Sequence, residues 1–162
     1  MRFRQLAAVL VPLAFTACLS GSDYNSTITA PNIPIEQTTF ASALNVDLTK
    51  STKTTTGMYI RDLTVGTGAV VTSTSTLTVY YEGFLASGYR FDYTLSPSTP
   101  YGPFKLGTKS VIDGWDQGLV GMKVGGKRQL LIPPELGYGP YGFKVIPSNA
   151  VLVFNVEIVS VQ

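Results

Sequence analysis

The sequence predicts an α+β fold: a twisted antiparallel sheet laid against one short α-helix. Three observations predict it. Apolar and polar residues alternate in several short runs, most clearly at 76–81 and 150–161, and a period of two is the mark of half-buried strands. Only one stretch, 111–119, carries a helical period: Ile112, Trp115 and Leu119 fall at i, i+3 and i+7 and share a face. Gly and Pro clusters separate these runs at short intervals, which favours hairpins over long crossovers. A right-handed strand twist then curls such a sheet around its helix.

The 162 residues suffice for one domain and an address segment. Hydrophobic residues make up 44% and charged residues 14%, enough apolar surface for a core. At the amino terminus Arg2 and Arg4 precede an apolar run over 6–15. That run is too short for a membrane-spanning helix, which needs about 20 residues. It reads as a signal peptide over 1–17, ending in Thr16 and Ala17 before Cys18. Cys18 is the only cysteine, so no internal disulfide can form.

Without 1–17 the chain has ten basic and ten acidic residues, since the twelve Lys and Arg include Arg2 and Arg4. A net charge of zero gives no electrostatic basis for nucleic-acid binding. Histidine is absent. That excludes His-based triads and, with one Cys, leaves no tetrahedral zinc set. Asp113 and Asp116 could suggest a hydrolase. They lie three apart on one helix rim, with no oxyanion hole or metal set beside them.

Residues 18–57 read as a linker, rich in Ser, Thr, Asn and Pro. Inside it Leu44, Val46 and Leu48 alternate, which leaves open a short strand docked on the domain. The domain itself is placed at 58–162. Its expected strands are 58–64, 76–85 and 89–93, a brief piece at Phe104 and Leu106, then 127–132 and 150–161. Turns fall at 66–68, 87–88 and 125–126, and 97–103 reads as irregular. Pro133 and Pro134 end the strand before them, because proline cannot donate to a ladder. Residues 136–149 form a loop with three Gly, two Pro and two Tyr. In the last strand Leu152, Phe154, Val156 and Ile158 share one face.

On pattern alone, Tyr81, Phe91, Phe154 and Trp115 can be core as readily as pocket wall. Asp92 can be an exposed turn carboxylate and Tyr138 a surface residue of the loop.

Three pieces carry a resemblance: VYYEGFLASGYRFDYT, FKLGTKSVIDGWDQGLVGMKVGGKRQLLIPPELGYG and IPSNAVLVFNVEIV. They resemble the FKBP-type peptidyl-prolyl isomerases, with YxGxL, GxxFD, LGxxxVIxGWxxG, PxxxxYG and IPxxxxLxFxVE in family order across 58–162. The resemblance implies a five- or six-stranded sheet around the helix, with a ligand pocket between them. It implies a pocket lined by Tyr81, Phe91, Asp92, Val111, Ile112, Trp115, Tyr138, Ile146 and Phe154, with Phe104 at the rim. Whether Tyr101 fills the neighbouring rim position stays open, since the spacing there differs. Asp92, Tyr138, Trp115 and the Ile112 N–H take the catalytic roles by this carry-over.

The activity implied is acceleration of Xaa-Pro rotation without cofactor or metal. The implied partners are proline-containing polypeptides and macrolide inhibitors. A module that holds prolyl segments without turnover is the alternative. Separately, LAFTAC resembles a bacterial lipobox, with Cys18 as the lipidated first residue. Leu19 follows it, which implies an outer-membrane anchor facing the periplasm. An ordinary secreted protein is the alternative, and the setting in either case is the cell envelope.

Overall fold

A computed structural model describes residues 30–94 and 99–162. The signal segment 1–17 and Cys18 lie outside the described residues.

Among the described residues seven strands form one antiparallel sheet: β1 Thr52–Lys53, β2 Tyr59–Thr64, β3 Thr76–Leu85, β4 Arg90–Tyr93, β5 Tyr101–Lys105, β6 Lys127–Ile132 and β7 Leu152–Val161. Their order is β1-β2-β6-β7-β3-β4, and β5 pairs with β3 on the same edge as β4. The single α-helix among the described residues, α1, spans Asp113–Gly118. The fold is the one expected, with seven strands in place of five or six. The two-residue β1 is one difference. The other is β5, which begins at Tyr101, inside a stretch expected to be irregular. β5 runs along a sheet edge, where the missing N–H of Pro103 leaves no ladder bond unmade.

The helix lies against β6 on its glycines. A Cβ on Gly114 would meet Cγ2 of Ile132 at 2.6 Å, and one on Gly118 would meet Cδ2 of Leu130 at 2.8 Å. Two glycines one helical turn apart therefore let α1 approach the strand closely, and Trp115 and Leu119 are buried beside them. Leu77 and Val79 of β3, Leu130 and Ile132 of β6 and Leu152, Phe154, Val156 and Ile158 of β7 face the same core. Such alternation is what places Tyr81 and Phe154 on the helix side of the sheet.

The other sheet face is apolar too. Tyr59, Leu131, Val151 and Val153 point away from α1 and are covered by Ile35 and Leu44. The described part of the expected linker is thus packed structure. It forms three 3₁₀ turns, Ile35–Gln37, Ser42–Leu44 and Leu48–Lys50, and then β1. The alternation at Leu44, Val46 and Leu48 does not become a strand. Asn45 takes a left-handed conformation, with φ 54°. Asp47 accepts from the N–H and hydroxyl of Thr49, a local bond that competes with any ladder. Gln129 extends from β6 into the same layer and donates to the Leu44 carbonyl at 2.9 Å.

Candidate functional site

A cavity of about 380 Å³ opens between β3, β4 and α1. Its walls are Tyr81 from β3, Asp92 from β4, Tyr101 from β5, Phe154 from β7, Trp115 from α1, Tyr138 from the 136–149 loop, and residues 109–112 leading into the helix. Each element delivers its side chain through its own period: β3 and β7 by alternation, α1 by the turn that follows Ile112.

Trp115 is the floor. It is 4% exposed and meets four rings. Tyr81 and Phe154 stand edge-on to the indole at centroid distances of 5.1 and 5.4 Å. Tyr101 is edge-on at 6.2 Å, and Phe104 lies tilted against it at 5.7 Å. Edge-to-face contact suits the ring quadrupoles. The indole Nε1 has no hydrogen-bond partner among the described residues.

The polar groups sit around this floor. The Tyr81 hydroxyl donates to Oδ2 of Asp92, whose Oδ1 accepts from the Tyr93 N–H. Burial pushes the Tyr81 phenol well above its ordinary range, and the bond to Asp92 and its charge push the same way. The Tyr138 phenol is raised as well, first by burial and then by the charges of Asp92 and Tyr101. Both hydroxyls therefore stay protonated donors near neutral pH. Ile112 caps α1 with its carbonyl, which accepts from the N–H groups of Trp115 and Asp116. Among the described residues no backbone carbonyl accepts from the Ile112 N–H.

The structure gathers Tyr81, Asp92, Val111, Ile112, Trp115, Tyr138 and Phe154 on one cavity. It sets Phe91 and Phe104 behind that wall and Ile146 in the core. Phe91 packs edge-on to Phe154 at 5.6 Å, Phe104 backs Trp115 and Tyr101, and Ile146 is buried in the main core. Tyr101, left open by the sequence, lines the cavity. Lys109 and Ser110 line it too and were missed. Lys109 pairs with Asp113 at 2.6 Å, one helical turn on. Asp116 accepts from the Gly107 N–H at 3.0 Å. Both helix carboxylates thus brace the loop ahead of α1, and neither lines the cavity.

The sequence pattern of the family described as FKBP-type peptidyl-prolyl cis-trans isomerase matches residues 68–159. An "FK506-binding protein" of Neisseria meningitidis serogroup B is 45% identical over 106 residues, covering 65% of this chain and 96% of that one. FkpA from Escherichia coli superposes with a TM-score of 0.62 at 36% identity, over 70% of this chain and 52% of its own, so the match spans about half its length. A peptidyl-prolyl cis-trans isomerase from Pseudomonas syringae pv. tomato gives a TM-score of 0.62 at 29% identity, over 75% and 86% of the two chains.

Proposed function

This chain belongs to the family of FKBP-type peptidyl-prolyl cis-trans isomerases, and on that premise we propose that its aromatic cavity encloses a prolyl segment and speeds rotation about the preceding amide. The observation that carries the proposal is the enclosed ring floor, Trp115 walled by Tyr81, Tyr101 and Phe154.

An Xaa-Pro amide prefers trans by only about 0.5–1 kcal/mol. Its rotation is slow because amide resonance raises a barrier of about 18–20 kcal/mol. The planar amide is the more dipolar form, and a ring-lined cup solvates that dipole poorly. The twisted amide has lost much of it, so enclosure favours the transition state over the ground state.

The roles follow from position. Trp115 lies under the proline ring, with Val111, Tyr81 and Phe154 as walls. The Ile112 N–H and the Tyr138 hydroxyl donate to substrate carbonyls and fix the pose. Asp92, held by Tyr81, lies beside the reacting amide, and Phe91 shapes the space for the preceding residue through Phe154. Phe104 and Ile146 support the rim and wall from behind. The relatives' FK506-binding names support macrolides as ligands of the same cup. Isomerase turnover on a prolyl tetrapeptide, suppressed by FK506, is the test; turnover equal to the uncatalysed rate overturns it.

One observation favours a second reading, a module that holds prolyl segments without turnover. Tyr141, Phe143 and Val145 expose apolar surface on the loop that carries Tyr138. Binding of FK506 and prolyl peptide with no turnover selects it.

The substrates we propose are exported or envelope polypeptides. The support is the sequence of the amino terminus: Arg2, Arg4, the apolar run and Cys18 as a lipid-anchored residue at the outer membrane. Incorporation of labelled fatty acid into the chain, lost in Cys18→Ala, is the expected result. No incorporation leaves the secreted alternative.

A further inference from the structure

We infer that residues 30–32 form a strap that holds the 136–149 loop in register, with Asn149 as the positioning residue for Tyr138. This rests on the proposed isomerase reading, in which Tyr138 fixes the substrate.

The contacts run in sequence. The Ala30 N–H donates to the Ser148 hydroxyl at 2.9 Å, and the Asn149 amide donates back to the Ala30 carbonyl. Asn149 then donates its own backbone N–H to the Gly139 carbonyl at 3.0 Å. Gly139 is the residue after Tyr138, so two hydrogen bonds connect the strap to the neighbour of the cavity tyrosine. At the other end of the loop, the Asn32 amide donates to Glu135. Glu135 belongs to the 3₁₀ turn Pro134–Leu136, directly ahead of Gly137 and Tyr138. Both ends of the loop are therefore tied to one remote segment, through Ala30 and Asn32.

The loop has local reasons to need such ties. Gly139, Gly142, Lys144 and Asn149 all hold positive φ. Its internal hairpin is one bridge, Phe143 to Ile146, closed by two hydrogen bonds. Phe143 stacks flat on the Tyr138 ring at 5.6 Å, and that pair is the loop's own contribution to holding the phenol.

The strap itself is fixed. Ile35 is 3% exposed in the outer core and lies five residues beyond Ala30. Glu36 accepts from Lys53 and from the Tyr59 hydroxyl on β2. Pro31 and Pro34 stiffen the intervening chain. The outer layer of the sheet thereby sets the position of a residue in the cavity on the opposite face.

The test uses the full chain carrying Ser148→Ala and Asn149→Gly together. Glycine keeps the positive φ of position 149 and its bond to Gly139, and removes only the amide. The chain is labelled with 3-fluorotyrosine, the Tyr138 fluorine signal being assigned by Tyr138→Phe. The double variant is expected to shift or broaden that signal and to weaken FK506 binding about fivefold, the scale of one exposed hydrogen bond lost. The thermal midpoint is expected to stay within a few degrees, because Ile35 and Leu44 remain buried. Ser148→Thr keeps the hydroxyl and should restore most of the affinity in a single-site comparison with Ser148→Ala. If the double variant unfolds, Asn32→Ala at the other tie reads the same signal. An unmoved Tyr138 signal with unchanged affinity overturns the strap. A wild-type chain without turnover overturns the isomerase reading alone, since the fluorine signal still decides the strap.

Discussion

The Tyr81 hydroxyl donates to Oδ2 of Asp92 at 2.7 Å, joining β3 to β4 at the cavity wall. The second oxygen of Asp92 is held by the Tyr93 N–H at 2.9 Å. The carboxylate is thus oriented from both sides, and its direction depends on a phenol that also touches Trp115. Tyr81→Phe keeps the ring and its packing while freeing one side of Asp92. We expect the fold to survive and kcat/KM on a prolyl tetrapeptide to fall about tenfold, the scale of one hydrogen bond. An unchanged kcat/KM would show that the orientation of Asp92 does not matter.

The same phenol predicts an alkaline limit. Tyr81 and Tyr138 both have folded pKa values above the reference of 10.0, burial being the largest cause in each. The folded chain therefore holds these protons more tightly than the unfolded chain. The associated stability is fully present below pH about 10 and is lost as pH rises beyond it. Lys53 and Lys109 act in the same direction, but both are exposed and screened by salt. In high salt, thermal midpoints of wild type should hold level from pH 7 to 9 and decline above 10. Tyr81→Phe should decline less steeply. Parallel curves would remove Tyr81 from the account.

Trp115 separates floor from filler. Trp115→Ala deletes a buried ring that meets four others, and large-to-small changes of this kind cost about 3–5 kcal/mol. Trp115→Phe is more discriminating. It keeps an aromatic floor and removes an indole N–H that has no partner among the described residues. Relief of that donor offsets part of the lost packing, since an unpaired buried donor costs about 1–3 kcal/mol. Urea unfolding should thus show a small change for Phe and a large one for Ala. FK506 affinity should follow the same order; equal affinity in both variants would place the ligand elsewhere.

The sequence made the inward face of this fold legible and hid the outward one. Leu152, Phe154, Val156 and Ile158 alternate, and the helix side of β7 follows from them. Val151 precedes Leu152 and Val153 follows it, and both are equally buried, under Ile35 and Leu44. From 150 to 154 every residue is apolar, so on that stretch nothing local says what covers the second face. The covering segment reads as a linker because its described part buries only Ile35 and Leu44 among its large residues, and its 3₁₀ turns present no repeat.

At the site, Trp115, Tyr81 and Phe154 were legible because strand and helix periods aim them. Lys109 and Ser110 were not, because a loop position with φ 60° at Lys109 is set by tertiary contact and no period marks it. Gly114 and Gly118 stand in the sequence, but their spacing alone does not reveal the close approach of α1 to β6.

Those two glycines give opposed forces that can be weighed. In an exposed helix interior, Gly→Ala adds about 1 kcal/mol of stability. Here the new Cβ at 114 meets three atoms of Ile132 at 2.6, 2.7 and 3.0 Å. Ile132 is fully buried and β-branched, so it cannot turn aside. Overpacking of this kind costs about 1–3 kcal/mol and wins over propensity. At 118 the Cβ meets the two methyls of Leu130 at 2.8 and 3.0 Å and the methyl of Met58 at 3.2 Å, all at the far ends of flexible side chains that can give way. Urea midpoints should therefore drop for Gly114→Ala and change little for Gly118→Ala. The reverse order would mean that α1 does not rest on β6 through Gly114.

Acid should loosen the amino-terminal layer first at Glu36. Its carboxyl is held at about 2, below the reference of 4.5, by the bond from Lys53 first and then by the Tyr59 hydroxyl. A folded pKa below the unfolded value gives stability that is present above pH 4.5 and lost as pH falls toward about 2. Asp47, lowered by Thr49 and Lys50, acts over a similar window, but it is common to wild type and Glu36→Gln and cancels in their difference. The difference in thermal midpoint should be positive at pH 6, shrink through the window and vanish near pH 2. Because the pair is exposed, half-molar salt should flatten it. A difference that is constant with pH would show that neutral packing at Ile35 and Leu44, and not this carboxylate, holds the segment to the sheet.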